Sequence, residues 1–268
     1  MMKKIMNVVG VLLLGVFLEG CETPPVSPPQ KKEISNKKLV SSRPAVRKKQ
    51  IFLVIDDAGL TLGQAHQFLD IPIPMTIAIM PHRRVCREVA ALVQQDPKKE
   101  AILHQPMEAK RKSANPGRGA IYNQMGNKEV ILILEDNLLT VPGVVGINNH
   151  MGSRITENGP IMAGILSFCQ SRKLFFLDSK TSYNSIVPLV AKDMRVHLEQ
   201  RDVFLDIVHE RSAIQKQWEQ ALRKANKKGY AVVIGHAWSK DTADVIRNSY
   251  QDLQRKGYTF HRLSELYR

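Results

Sequence analysis

The sequence predicts an α/β domain in which about seven parallel strands, each followed by a helix, close into a (β/α) barrel. Three observations predict it. From residue 51 onward, short apolar runs alternate with longer segments of helical periodicity. The short runs are continuously apolar, as strands buried on both faces are. No repeat, low-complexity tract or change of composition divides residues 51–268, so they read as one domain. An open doubly wound sheet is the alternative arrangement of the same elements.

A different kind of segment precedes that domain. Lys3 and Lys4 stand before an apolar stretch, Val8 to Leu18, interrupted only by glycine. Its length suits an export signal and is short for a membrane span. It ends in Leu18-Glu19-Gly20-Cys21, which is similar to a bacterial lipobox except at Glu19. Residues 1–21 are therefore expected to be a signal peptide, with Cys21 as the lipidation site if the lipobox is used. If it is not, the same segment stays as an uncleaved anchor. Both outcomes export the domain and tether it to a membrane, in the periplasm or cell envelope. Residues 22–50 hold five prolines and no apolar periodicity, and they predict a disordered basic tether.

The strand candidates are 51–55, 75–80, 101–104, 144–148, 174–178, 203–206 and 231–235. Helical patterns cover 62–69, 84–95, 128–139, 161–171, 185–192, 212–228 and 242–256. Gly229 and Gly257 stand just past the last two, where C-cap glycines belong. Ala109 to Asn123, basic and rich in glycine and proline, reads as a long loop.

The formal net charge is +14, and residues 1–50, with ten Lys/Arg against three Asp/Glu, carry half of it. With no nucleic-acid motif beside it, that charge reads as a solvated surface and a basic tether, not a nucleic-acid interface. The spacing of Cys21, Cys86 and Cys169 offers no zinc knuckle or redox pair; Cys86 and Cys169 read as buried thiols. No protein partner is legible.

The informative pattern is where the apolar runs stop. Asp56-Asp57, His104, Asn148-Asn149-His150, Asp178, Asp206 and His236 each follow one. Asp and Asn favour turns, but histidine has no such preference. In a parallel barrel all these ends lie on one face, where active sites collect. Imidazole and carboxylate together bind zinc or a similar divalent ion and leave a position open for water. The ion lowers the pKa of that water, one carboxylate can serve as base, and a histidine can protonate a leaving group. Metal-assisted hydrolysis is the reaction class these residue types suit. Asp178 and Asp206 either act directly or orient the groups that do. No Gly-x-Ser-x-Gly elbow frames a serine, which disfavours a serine hydrolase.

Six ordered segments carry a family likeness: Ile55 to Gly59, His104 to Glu108, Asn148 to Arg154, Phe176 to Ser179, Arg201 to Asp206 and Ile234 to His236. Together they resemble the divergent polysaccharide deacetylases, a branch of the NodB-like carbohydrate esterases, across essentially all of residues 51–268. The resemblance implies a distorted (β/α) barrel that removes N-acetyl groups from a polysaccharide. It implies Asp56 as base, Asp57 and His104 as metal ligands and His236 as the group assisting departure, with Asp178 a further catalytic candidate. The family's His-x-x-x-His reads here as His104 to Glu108, so the remaining ligand is either Glu108 or His150. Asn149, Asp206 and Arg201 are candidates for lining the site. The altered motif leaves a second reading open, a glycan-binding envelope scaffold without turnover.

Overall fold

The computed structural model describes residues 49–267. The expectations for the signal peptide, for Cys21 and for the tether up to residue 48 fall outside the described residues. The first strand, β1 (Gln50–Ala58), begins at Gln50. There the backbone N–H of Gln50 donates to Gly229, and the Lys49 carbonyl accepts from Thr259.

The other strands are β2 (Met75–Ile79), β3 (Lys99–Met107), β4 (Gly146–Met151), β5 (Phe175–Asp178), β6 (Glu199–Gln200), β7 (Val203–Phe204), β8 (Tyr230–His236) and β9 (Thr259–His261). The helices are α1 (Leu62–Leu69), α2 (Cys86–Gln95), α3 (Asn127–Thr140), α4 (Gly159–Ser171), α5 (Val187–Asp193), α6 (Arg211–Lys228) and α7 (Lys240–Arg255). Every ladder is parallel.

The strands lie in the order β6-β5-β4-β3-β2-β1-β8-β7. That order follows the chain cyclically and never reverses, so the sheet is wound in one sense like a barrel and lacks the switch point of a doubly wound sheet. Closure is incomplete. β6 and β7 end the path at two residues each, and among the described residues no ladder joins them. The expected barrel is therefore a parallel half-barrel with a seam between β6 and β7. β8 takes one edge of β1 from Gln50 to Asp56; β9 and then β2 share the other.

The two sheet faces bury different partners. Ile51, Leu53, Ile55, Leu103, Ile147 and Val233 face the helices in one large core. Phe52, Val54, Ile102, Val232 and Ile234, one residue out of phase, fill the concave side with Leu263. A final 3-10 helix, Leu263–Tyr267, plugs that side at the starts of the strands. Leu263 N–H donates to Thr76 Oγ1, Ser264 N–H to Glu100 Oε1 and Tyr267 OH to the Phe176 carbonyl. The strand C-termini are left to form the site. Cys86 and Cys169 are buried and free, as their apolar contexts predict.

Candidate metal centre

The two-residue period of a strand places the site side chains. Phe52 and Val54 face the concave core, so Asp56 does too; Ile102 leads to His104, and Ile234 to His236. On β4, Ile147 faces the helices, which turns Asn148 and His150 inward. Simple alternation would send Asp57 away from Asp56. Instead the β1–β2 ladder shifts register between Ile55 and Ala58, and Asp57 adopts φ 61°. This bulge, strained by about 1–3 kcal/mol, aims the Asp57 carboxylate into the same space.

Three ligand atoms converge there. Asp57 Oδ1 lies 3.2 Å from His104 Nε2 and 2.9 Å from His150 Nδ1. The two nitrogens are 3.1 Å apart. A tetrahedral zinc with ligands at 2.0–2.1 Å has ligand–ligand edges of roughly 3.3 Å, so these atoms nearly form one face of such a site. Asp57 Oδ1 is buried and accepts no well-formed hydrogen bond, which suits an atom that would complete its bonding on a cation. His104 is prepared for the same task. Asn148 donates through Nδ2 to Asp56 Oδ1 (2.8 Å) and Ser179 Oγ (3.2 Å), leaving its Oδ1 to accept from His104 Nδ1–H at 2.8 Å. In the neutral ring the lone pair of His104 is thereby set on Nε2, facing Asp57 and His150.

The carboxylates divide by environment. Burial raises the Asp56 pKa, and His104 and His236 only partly offset it. Burial also acts on Asp57, yet His104 and His150 outweigh it and hold that carboxyl far below the usual range. For His104, burial disfavours the imidazolium, but Asp56 and Asp57 outweigh burial and raise the pKa.

Asp56 and His236 are register partners on β1 and β8. His236 Nδ1–H donates to Asp206 Oδ1 at 2.6 Å, while Asp206 Oδ2 accepts from His236 N–H (2.9 Å) and Thr242 Oγ1 (2.8 Å). Burial disfavours the His236 cation, but Asp206 outweighs it and lifts the pKa to about 9. Phe204 and Trp238 stack on the His236 ring at 5.7 and 5.1 Å. Trp238 Nε1–H also donates to Asp57 Oδ2 at 3.1 Å.

The structure separates the two candidates for the remaining ligand. β3 stays extended through Met107, which puts residue 108 about 13 Å along the strand from residue 104. Glu108 instead accepts from Asn123 N–H at 2.7 Å and pairs with Arg154 at 3.2 Å, pinning the loop at 109–123. His150, on the neighbouring strand, is the candidate whose ring nitrogen converges with Asp57 and His104. Asn149 is buried and ties the β4 and β5 ends through Ser179 N–H and the Met151 carbonyl. Asp178 accepts from Lys180 N–H, Ser185 Oγ and Gln200 Nε2, and it forms no hydrogen bond with the ligand set or with His236. Its place is in the loops behind β5. Arg201 donates to the Ser179 and Lys180 carbonyls and covers the Phe204 ring at 3.9 Å.

Ser179 and Trp238, neither of which ends an apolar run, join Asn148 in this network. Asn148 stands in the Asn148-Asn149-His150 run, and its inward phase was the available signal. For Trp238 there was no local signal, because its partner Asp57 is on a distant strand.

Residues 53–267 match the family model described as divergent polysaccharide deacetylase, and the chain belongs to that family. An uncharacterized protein of Haemophilus influenzae is 29% identical over 214 residues, covering 78% of this chain and 75% of its own. The uncharacterized protein YibQ of Escherichia coli is 31% identical over 198 residues, 74% of this chain but 61% of that protein. Among solved structures, an uncharacterized protein from Agrobacterium tumefaciens superposes with a TM-score of 0.77 at 19% identity, covering 84% of this chain and 91% of that one. The catalytic domain of a peptidoglycan N-acetylglucosamine deacetylase from Eubacterium rectale superposes at 0.55 and 15% identity, covering 80% and 88%. These likenesses show the fold.

Proposed function

We propose that the protein is a metal-dependent hydrolase that removes N-acetyl groups from an envelope polysaccharide, with Asp57, His104 and His150 holding a zinc-class divalent ion. The convergence of those three ligand atoms beside a buried carboxylate and a histidine–aspartate pair carries the reading. A bound ion of this kind polarises an amide carbonyl and acidifies a coordinated water. Asp56, whose Oδ2 lies 3.7 Å from His104 Nε2, takes the proton of the attacking water. Its raised pKa brings it nearer the working pH of a base. His236, held as a cation by Asp206, gives its proton to the departing amine. Asn148 fixes Asp56 and His104 against each other, so base and ligand move as a unit. The envelope as the place of action rests on the export features of residues 1–21.

The test is acetate release. The zinc-loaded chain is incubated with N-acetylated glycans, beside Asp56→Asn and His236→Ala variants. We expect acetate from the wild-type chain and a loss of at least about a hundredfold in each variant. Glycan binding without acetate from the metal-loaded wild type would overturn the reading in favour of a binding scaffold.

A further inference from the structure

The seam of the half-barrel forms a cavity of about 560 Å³ whose charges do not cancel. Lys180, Arg201, Lys224 and Lys228 line it against Glu199 and Asp202. Both carboxylates are engaged. Asp202 Oδ2 accepts from Val232 N–H (2.9 Å) and Lys228 (3.3 Å), and its carbonyl takes Lys224 at 2.7 Å. Glu199 accepts from Tyr230 OH at 3.0 Å and pairs with His197 at 3.1 Å.

Neither Arg201 nor Lys180 has a direct carboxylate partner, although Asp178, Asp56 and Asp202 act on Arg201 through space. The Arg201 guanidinium donates only to two neutral carbonyls, at 2.8 and 3.0 Å. Among the described residues no carboxylate lies within ion-pair distance of it, and none pairs with the Lys180 ammonium. A partly buried cation bonded only to neutral groups is costly to hold, and an arriving anion would relieve that cost. Both residues line the same cavity, and Arg201 bonds the Lys180 backbone carbonyl. The cavity wall is in contact with the candidate site through one ring: Arg201 covers Phe204, and Phe204 stacks on His236. Tyr183, fully exposed, adds an aromatic ring to the lining.

We propose that this cavity is a substrate subsite for an anionic glycan, in which Arg201 and Lys180 receive a carboxylate borne by a sugar near the one deacylated. The inference rests on the deacetylase reading and deepens it: the substrate class is a carboxylated N-acetyl polysaccharide. Arg201 suits the role because its planar fork matches a carboxylate.

Two probes of equal length test it on the zinc-loaded full chain: a neutral N-acetylglucosamine oligosaccharide, and one carrying a carboxylate on alternate sugars. The carboxylated probe should bind about tenfold more tightly at low salt, as one charge-assisted contact allows, and lose that advantage at roughly 0.5 M salt. Lys180→Glu should erase the preference while leaving metal content unchanged. Arg201→Gln should erase it too. Equal wild-type affinity for the two probes, or a preference surviving both substitutions, would overturn the proposal. A preserved preference with no acetate from either probe supports the subsite and defeats only the deacetylase reading. Acetate from both probes at equal affinity defeats only the subsite.

Discussion

Trp238 touches both halves of the candidate site, its indole N–H on the Asp57 carboxylate and its ring face on His236. Trp238→Phe keeps an aromatic ring and removes the donor. We expect zinc affinity, read by chelator competition, to fall about tenfold, the scale on which outer-shell partners tune a metal, with the thermal unfolding midpoint unchanged. Asp206 governs the pH response of His236. The folded pKa near 9 exceeds the unfolded value of 6.5, so the stabilisation is fully present below 6.5 and is lost as pH rises through 9. Turnover that needs the His236 proton falls over the same alkaline range. In Asp206→Asn the alkaline limb of the pH–rate profile should move down by at least about one unit; an unmoved limb would contradict the assignment of His236 as proton donor. Asp56, His104, His150 and His236 were legible because each continues the inward phase of an apolar strand. Asp57 was legible as a type but not as a geometry, since the bulge that aims it leaves no residue signature.

At the scale of elements, strand burial was the readable quantity and strand pairing was not. β1 alternates Ile51, Leu53 and Ile55 toward the helices with Phe52 and Val54 toward the concave core, all essentially without exposure. Phe52→Ala should cost about 3–5 kcal/mol in chemical denaturation, because the ring is enclosed between Tyr230, His261 and the inner core. α1 matches its predicted limits, 62–69, where the Thr61 side chain caps Gln64 N–H. α6 stops at Gly229, whose φ of 94° a side chain would resist. β6 and β9 escaped prediction because two- and three-residue strands carry no periodicity. β3 runs past its predicted end because Pro106, which lacks an N–H, lies beyond the β2 ladder that stops at Leu103. Its carbonyl accepts from Ile121 instead.

For the molecule as a whole, the two ends of the half-barrel have separate duties. The C-terminal segment closes the starts of the strands, and the strand ends carry the candidate site. A chain ending at Tyr258 would lose β9 and the Leu263–Tyr267 plug and expose the inner core. Cooperative thermal unfolding, followed by circular dichroism, should disappear or fall in midpoint by more than about 10 °C, since removing that much buried surface costs several kcal/mol. The one-domain α/β architecture was legible from alternation alone. Incomplete closure was not, because it depends on how short β6 and β7 are once paired.

The central claim is that Asp57, His104 and His150 form the metal centre and that Glu108 stands outside it. Metal content and affinity of four purified chains test it directly: wild type, Asp57→Ala, His150→Ala and Glu108→Gln. The geometry predicts one zinc-class ion per wild-type and Glu108→Gln chain, and affinity reduced by more than about a hundredfold in the other two. An ion retained at wild-type affinity in His150→Ala, or lost in Glu108→Gln, would contradict it.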